Sequence, residues 1–133
     1  MPAESDHAQK HRENRALLAG PPPLAAVSPA WAATVAFYAA VHLVERLAAR
    51  DGVHHTRHSG QASRAGYLAR HPTHHVLAAH LATLLSASIV ARYEGPGAYA
   101  AAFPGDTTQR LLIDTHLAAI EAHVAAAIGP VPS

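Results

Sequence analysis

The sequence predicts an all-α protein, an antiparallel bundle of four or five helices. Three observations carry that reading. Half of the 133 residues are apolar while only 5% are aromatic. Ala, the best helix former, supplies much of the apolar share and lets helices approach closely. No segment alternates apolar and polar residues at the period of a half-buried strand, whereas residues 28–50 and 74–93 repeat apolar side chains at helical steps. A chain of this length forms one domain with a core of its own.

Residues 4–19 read as a polar helix with a weak apolar edge at Ala16, Leu17 and Leu18. Gly20 and the prolines at 21–23 end it in a stiff connector. Residues 1–23 are therefore an N-terminal helix and Pro-rich connector, residues 24–129 the bundle domain, and residues 130–133 a tail. The organising element is 28–50. Ser28 is a good N-cap, Pro29 suits the first helical position, and Gly52 supplies a stop. Apolar residues lie on nearly every side as far as Leu43, the pattern of a buried central helix. Trp31, Val35, Tyr38, His42, Glu45 and Ala49 share one stripe of it.

Residues 51–58 read as a loop, followed by a short helix from Ser59 to Arg70 that His71-Pro72 closes. Thr73 is the expected cap of a long helix over 74–93. Its Val76, Leu77, Leu81, Leu84, Leu85 and Ile89 follow the helical period, with His80 and Ser88 at the edge. Gly95-Pro96-Gly97 breaks it, and residues 98–105 form a loop folding Tyr99 and Phe103 over the bundle end. Asp106 or Thr107 caps a last helix to Ile128, with Leu111, Leu112, Ala119, His123 and Ala126 inward.

Composition removes several function classes. Cys is absent, which excludes disulfide scaffolds, thiolate metal sites and Cys nucleophiles. The N-terminus lacks an apolar signal-peptide core, and no run reaches the roughly 18 apolar residues of a membrane span. These features lead to the expectation of a soluble cytoplasmic protein with no membrane partner. Neither a nucleophile elbow nor a Gly-rich phosphate loop is present. Net charge is +1 with His neutral, but its distribution is uneven. Between Asp51 and Glu94 there is no carboxylate in 42 residues, while Arg57, Arg64, Arg70, Arg92 and seven of the twelve His fall there. Such an interval suits phosphate or another anion.

His42 and Glu45, one turn apart on the core-facing stripe, need partners if buried, and His58, Arg64 or Arg92 can supply them. The twelve His also raise a metal hypothesis. His54 and His58, and His71 and His75, have helical ligand spacing, but Gly52 and Gly60 flank the first pair and Pro72 cuts the second. No metal or other cofactor is assigned on spacing alone.

Trp31-Ala32, the run Phe37-Tyr38-Ala39-Ala40-Val41-His42-Leu43-Val44-Glu45, Gly52-Val53-His54 with His58, then Arg64, Ser88 and Ala91-Arg92-Tyr93 together form an ordered set. This set resembles small bacterial HEPN-like proteins (higher eukaryotes and prokaryotes nucleotide-binding domain) over roughly residues 31–93. The resemblance implies an antiparallel helical bundle, often a homodimer, in a superfamily with many toxin or defence ribonucleases. Their Arg-x4–6-His motif has matches here at Arg50/His55, Arg64/His71, Arg70/His75 and Arg110/His116. The last lies on one continuous helix, although Leu111 follows the Arg where the family has a polar residue.

Three function classes follow. The first is an RNA- or nucleotide-binding homodimer, extending to metal-independent RNA cleavage with His116 as acid/base and Arg110 stabilising phosphate charge. In it His42, Glu45, His54, His58, Arg64 and Arg92 form an anion-binding or polar pocket. The second is a non-catalytic interaction or antitoxin-like module with a protein partner. The third is a His-liganded metal bundle.

Overall fold

Fifteen of the 22 residues in the helix Pro29–Arg50 (α3) are buried, and the fold is arranged around it. The computed structural model describes residues 4–53 and 60–129. Among them the chain is helical and contains no strand. The order is α1 (Glu4–Ala19), α2 (Leu24–Val27), α3, α4 (Gly60–Arg70), α5 (Leu77–Ile89), a π-helical turn (Val90–Glu94), α6 (Pro96–Ala102), a π-helix (Thr108–Leu117) and α7 (Ala118–Ile128).

The start of α3 follows its sequence signals. Ser28 is extended, its Oγ accepts the Trp31 N–H at 3.3 Å, and Pro29 sits in the first turn. Ala32, Ala33, Ala36, Ala39 and Ala40 are fully buried, so neighbouring helices come close. Phe37, Leu43, Val44 and Leu47 fill the space between them. Leu68, Leu77, Leu84, Leu112, Ile113, Leu117, Ile120 and Val124 complete the core from the other helices.

The N-terminal helix is more than a polar arm. Among the packed elements, α1 has the most extensive contact with α3, and it buries His7, Ala8, His11 and Leu18. Leu17 remains 58% exposed. Glu4 fastens α1 to the end of α3 through Arg46 Nε at 3.1 Å and Arg50 Nε at 2.7 Å. The same guanidiniums donate to the Gly129 carbonyl at 3.2 Å and the Ile128 carbonyl at 3.4 Å. Glu121 of α7 meets His11 at 2.7 Å and Arg15 at 3.2 Å.

Three local expectations are corrected. The long helix begins at Leu77 instead of residue 74, and Thr73 does not cap it. His71 Nδ1 accepts the backbone N–H groups of Thr73 and His74, each at 3.1 Å, and residues 72–76 form turns. Residues 96–102 are a helix where a loop was expected. Gly95, at φ +91°, makes the break, and Pro96 then opens α6. Tyr99 is buried there, its hydroxyl 2.6 Å from Thr108 Oγ1.

The last helix starts as a π-helix, whose wider turn shifts the inward phase. Leu112, Ile113, Leu117, Ile120 and Val124 are buried; Ala126 is exposed and Leu111 only half-buried. Two helices, Pro29–Arg50 and Thr108–Ile128, are long and apolar enough to cross a membrane, contrary to the sequence expectation. In the apolar 18-residue stretch of the first, 83% of the residues are buried inside the bundle, the signature of a core helix. The second carries Glu121, ion-paired to α1.

Candidate functional site

Of the predicted residues, Glu45 and Arg64 come together. The packing of α4 on the lower half of α3 places Arg64 Nη1 3.1 Å from Glu45 Oε1, and the carboxylate side chain is 8% exposed. One pairing expected for a buried Glu45 is thus formed. His42 turns elsewhere: its Nδ1 lies 3.1 Å from Nδ1 of His7 on α1. Burial, and then the neighbouring His7, push its pKa from 6.5 down to about 4, and Glu45 only partly offsets this. At neutral pH His42 is an uncharged ring sharing a proton with a second imidazole.

Arg92 belongs to a separate place. Its Nε and Nη2 donate to Ser88 O and Oγ, both at 3.2 Å, and Nη1 reaches the Tyr38 hydroxyl at 3.4 Å. The guanidinium lies 5.9 Å from the Tyr38 ring centroid and 5.1 Å from that of Tyr93. No carboxylate pairs with it among the described residues. Tyr38 (41% exposed) and Tyr93 (73%) leave this arginine in an exposed aromatic surface, and Trp31 (58%) is exposed about two turns before Tyr38 on the same helix. His54 and His58 lie outside the described residues.

Arg110 and His116 have different partners. Arg110 is exposed and pairs with Asp106 at 3.6 Å. His116 Nδ1 is 2.9 Å from His80 Nδ1 on α5. Six positions place the two side chains about a third of a turn apart around the helix, and no hydrogen bond or ion pair joins them among the described residues. Nor do His71 and His75 face one metal, since His75 Nδ1 meets the His71 carbonyl at 3.1 Å.

The larger feature is one that sequence reasoning missed: imidazoles meet in pairs. His7/His42 joins α1 to α3. On the antiparallel seam between α5 and the last helix, His80/His116 forms one rung. In the turn just before α5, His74 Nδ1 lies 2.8 Å from His123 Nε2 and forms another. His71 stacks on His74 with centroids 3.9 Å apart. Its Nε2 is 3.3 Å from Asp51 Oδ2, which also accepts the Tyr67 hydroxyl at 2.6 Å. Burial and then the Asp51 carboxylate push the Tyr67 phenol well up.

This array resembles an Asp–His dyad, but the tautomer argues against base catalysis. His71 Nδ1 is occupied by two backbone N–H groups, so Nε2 carries the proton and donates to Asp51. The ring anchors a turn. Burial lowers the pKa of His74 and of His116, in each case reinforced by the adjacent imidazoles. Among the described residues no three His or carboxylate side chains converge on one metal position. The sequence put His42 on the core-facing stripe, His123 inward and His80 at the edge of an apolar face, but gave no sign of which ring each would meet. The two seam rungs join residues 36 and 49 positions apart.

No protein-family model, curated protein or solved structure matches this chain.

Proposed function

We propose that the protein is a HEPN-like helical bundle that binds single-stranded RNA on the face formed by Trp31, Tyr38, Arg92 and Tyr93. The observation that carries this reading is Arg92 between two exposed tyrosines with no carboxylate partner among the described residues. Tyrosine and tryptophan faces stack bases, and an adjacent arginine contacts phosphate or stacks on a base itself. The acid-free interval from residue 52 to 93 keeps competing negative charge out of the local sequence. Binding of this kind needs no metal and no catalytic group.

Cleavage is the weaker part of the reading. Arg110 and His116 are engaged with Asp106 and His80, so nothing favours them as one centre. The test is fluorescence anisotropy with a labelled single-stranded RNA across a salt series. The expected result is salt-sensitive binding that an Arg92→Ala/Tyr93→Ala variant weakens about tenfold or more. Equal affinity of the two proteins, or no binding by either, overturns the proposal. The same samples, incubated in EDTA beside Arg110→Ala/His116→Ala, report any metal-independent cleavage.

A further inference from the structure

The two rings of the His80–His116 rung have their Nδ1 atoms 2.9 Å apart and make no other hydrogen bond among the described residues. Both side chains are half-buried at the edge of the bundle, so one side of the pair faces water. They project from α5 and from the helix Thr108–Ile128, two long packed elements that fix their separation. We propose that this pair is an open, two-ligand site for a divalent transition cation of the copper(II) or nickel(II) type, with water completing the coordination.

The ligand chemistry and the reach of the pair suit that class. Two imidazole nitrogens at about 2.0–2.1 Å from a metal are roughly 2.9 Å apart when they occupy adjacent corners of a square plane, and roughly 3.4 Å apart in a tetrahedron. The 2.9 Å between the rings is that of the N–H···N hydrogen bond they make without metal, and it already lies within reach of a square-planar bite, whereas tetrahedral zinc requires the rings to part by about half an ångström. Imidazole suits copper and nickel, and the order of intrinsic affinities favours copper.

Protonation is compatible as well. Metals take the neutral ring, and burial together with His80 lowers the His116 pKa. One ring now carries a proton on Nδ1 and donates it to the other. On binding, that ring moves its proton through solvent to Nε2, both Nδ1 lone pairs face the metal, and no net proton is released from the neutral pair. The other rungs are less suited. His74 is 8% exposed and stacked on His71, and His42 is packed under α1. This inference does not depend on RNA binding.

The experiment is calorimetric titration of the tag-free full chain with copper(II) at pH 7.5, beside His80→Gln/His116→Gln and, as a control, His74→Gln/His123→Gln. Helical circular dichroism checks that each folds. The native protein and the control are expected to bind one more ion than the His80/His116 variant. Copper is expected to raise the melting midpoint of those two proteins only, because the ion bridges two helices. Should the double variant unfold, the single His80→Gln protein serves, with at least a tenfold weaker affinity expected. Equal stoichiometry in all three proteins, or an undiminished affinity in His80→Gln, places the ions on other histidines and overturns the proposal.

Discussion

Replacing His42 with Gln should flatten the acid limb of the stability curve. His42 faces His7 and Lys10 from α1 and Arg64 from α4, with Glu45 on its own helix as the one opposing charge. Its pKa falls from 6.5 to about 4 on folding, so between those values the unfolded chain binds the proton that the folded protein refuses. Stability is therefore fully retained above pH 6.5, falls as the pH drops through the window, and reaches its full penalty below about pH 4. Each tenfold in proton affinity is about 1.4 kcal/mol, which makes the whole displacement about 3 kcal/mol; solvent screening at a half-buried ring trims it to about 2 kcal/mol. Glutamine keeps a hydrogen-bonding group opposite His7 but cannot take up the charge. Urea denaturation of both proteins at pH 7.5, 6.5, 5.5 and 4.5 measures the effect. The stability difference should move by about 2 kcal/mol in favour of the variant from the first pH to the last. His74 and His116 bend the native curve in the same direction, but they remain in both proteins and cancel. Parallel curves, with a constant gap, would refute the reasoning.

Further outcomes concern packing. Phe37→Ala removes a ring that is 2% exposed from the middle of the core and should cost about 3–5 kcal/mol by chemical denaturation. Arg64→Met takes the guanidinium from a nearly buried Glu45 carboxylate and should cost about 3 kcal/mol. Glu45→Met/Arg64→Met should cost less than that single change, which a double-mutant cycle reads directly. Tyr99→Phe leaves the buried Thr108 hydroxyl without its 2.6 Å partner and should cost about 1–3 kcal/mol. Tyr99→Phe/Thr108→Val should recover most of it.

The central helix was legible because its signals are local. Ser28 and Pro29 set its start whatever the rest of the chain does, and the all-round apolar pattern states its burial. The start of α5 was misjudged because a side chain outside the helix, His71, accepts the N–H groups of Thr73 and His74, and residues 72–76 form turns. Tyr99 turned a Gly/Pro-rich stretch into a helix by burying itself against Thr108, a tertiary contact that propensity does not register. In the last helix the π-helical turn altered the period on which the inward set was reckoned. As for the site, the need to compensate a buried charge gave Arg64 as one of three candidate partners, and it does meet Glu45. The imidazole rungs did not, because each depends on the register between two helices, which one sequence does not encode visibly. The exposed character of Trp31 and Tyr38 was hidden for a similar reason. Their stripe also holds Val35, which is buried, and continues into His42 and Glu45, which α1 and α4 cover, so the pattern alone did not mark Trp31 and Tyr38 as exposed.

The double grip of Arg46 and Arg50 has a topological consequence. Glu4 and the carbonyls of Ile128 and Gly129 are held by the same two guanidiniums, so residues 4 and 129 sit at one corner of the bundle. A short glycine-rich link could join them without crossing the core, and the chain could be reopened at the exposed turn around Gly105. In such a circular permutant α3 would no longer be followed at a distance by the helix that closes over it. Instead α7 would run through the new link into α1, and the two helices already tied by Glu121, His11 and Arg15 would become neighbours along the chain.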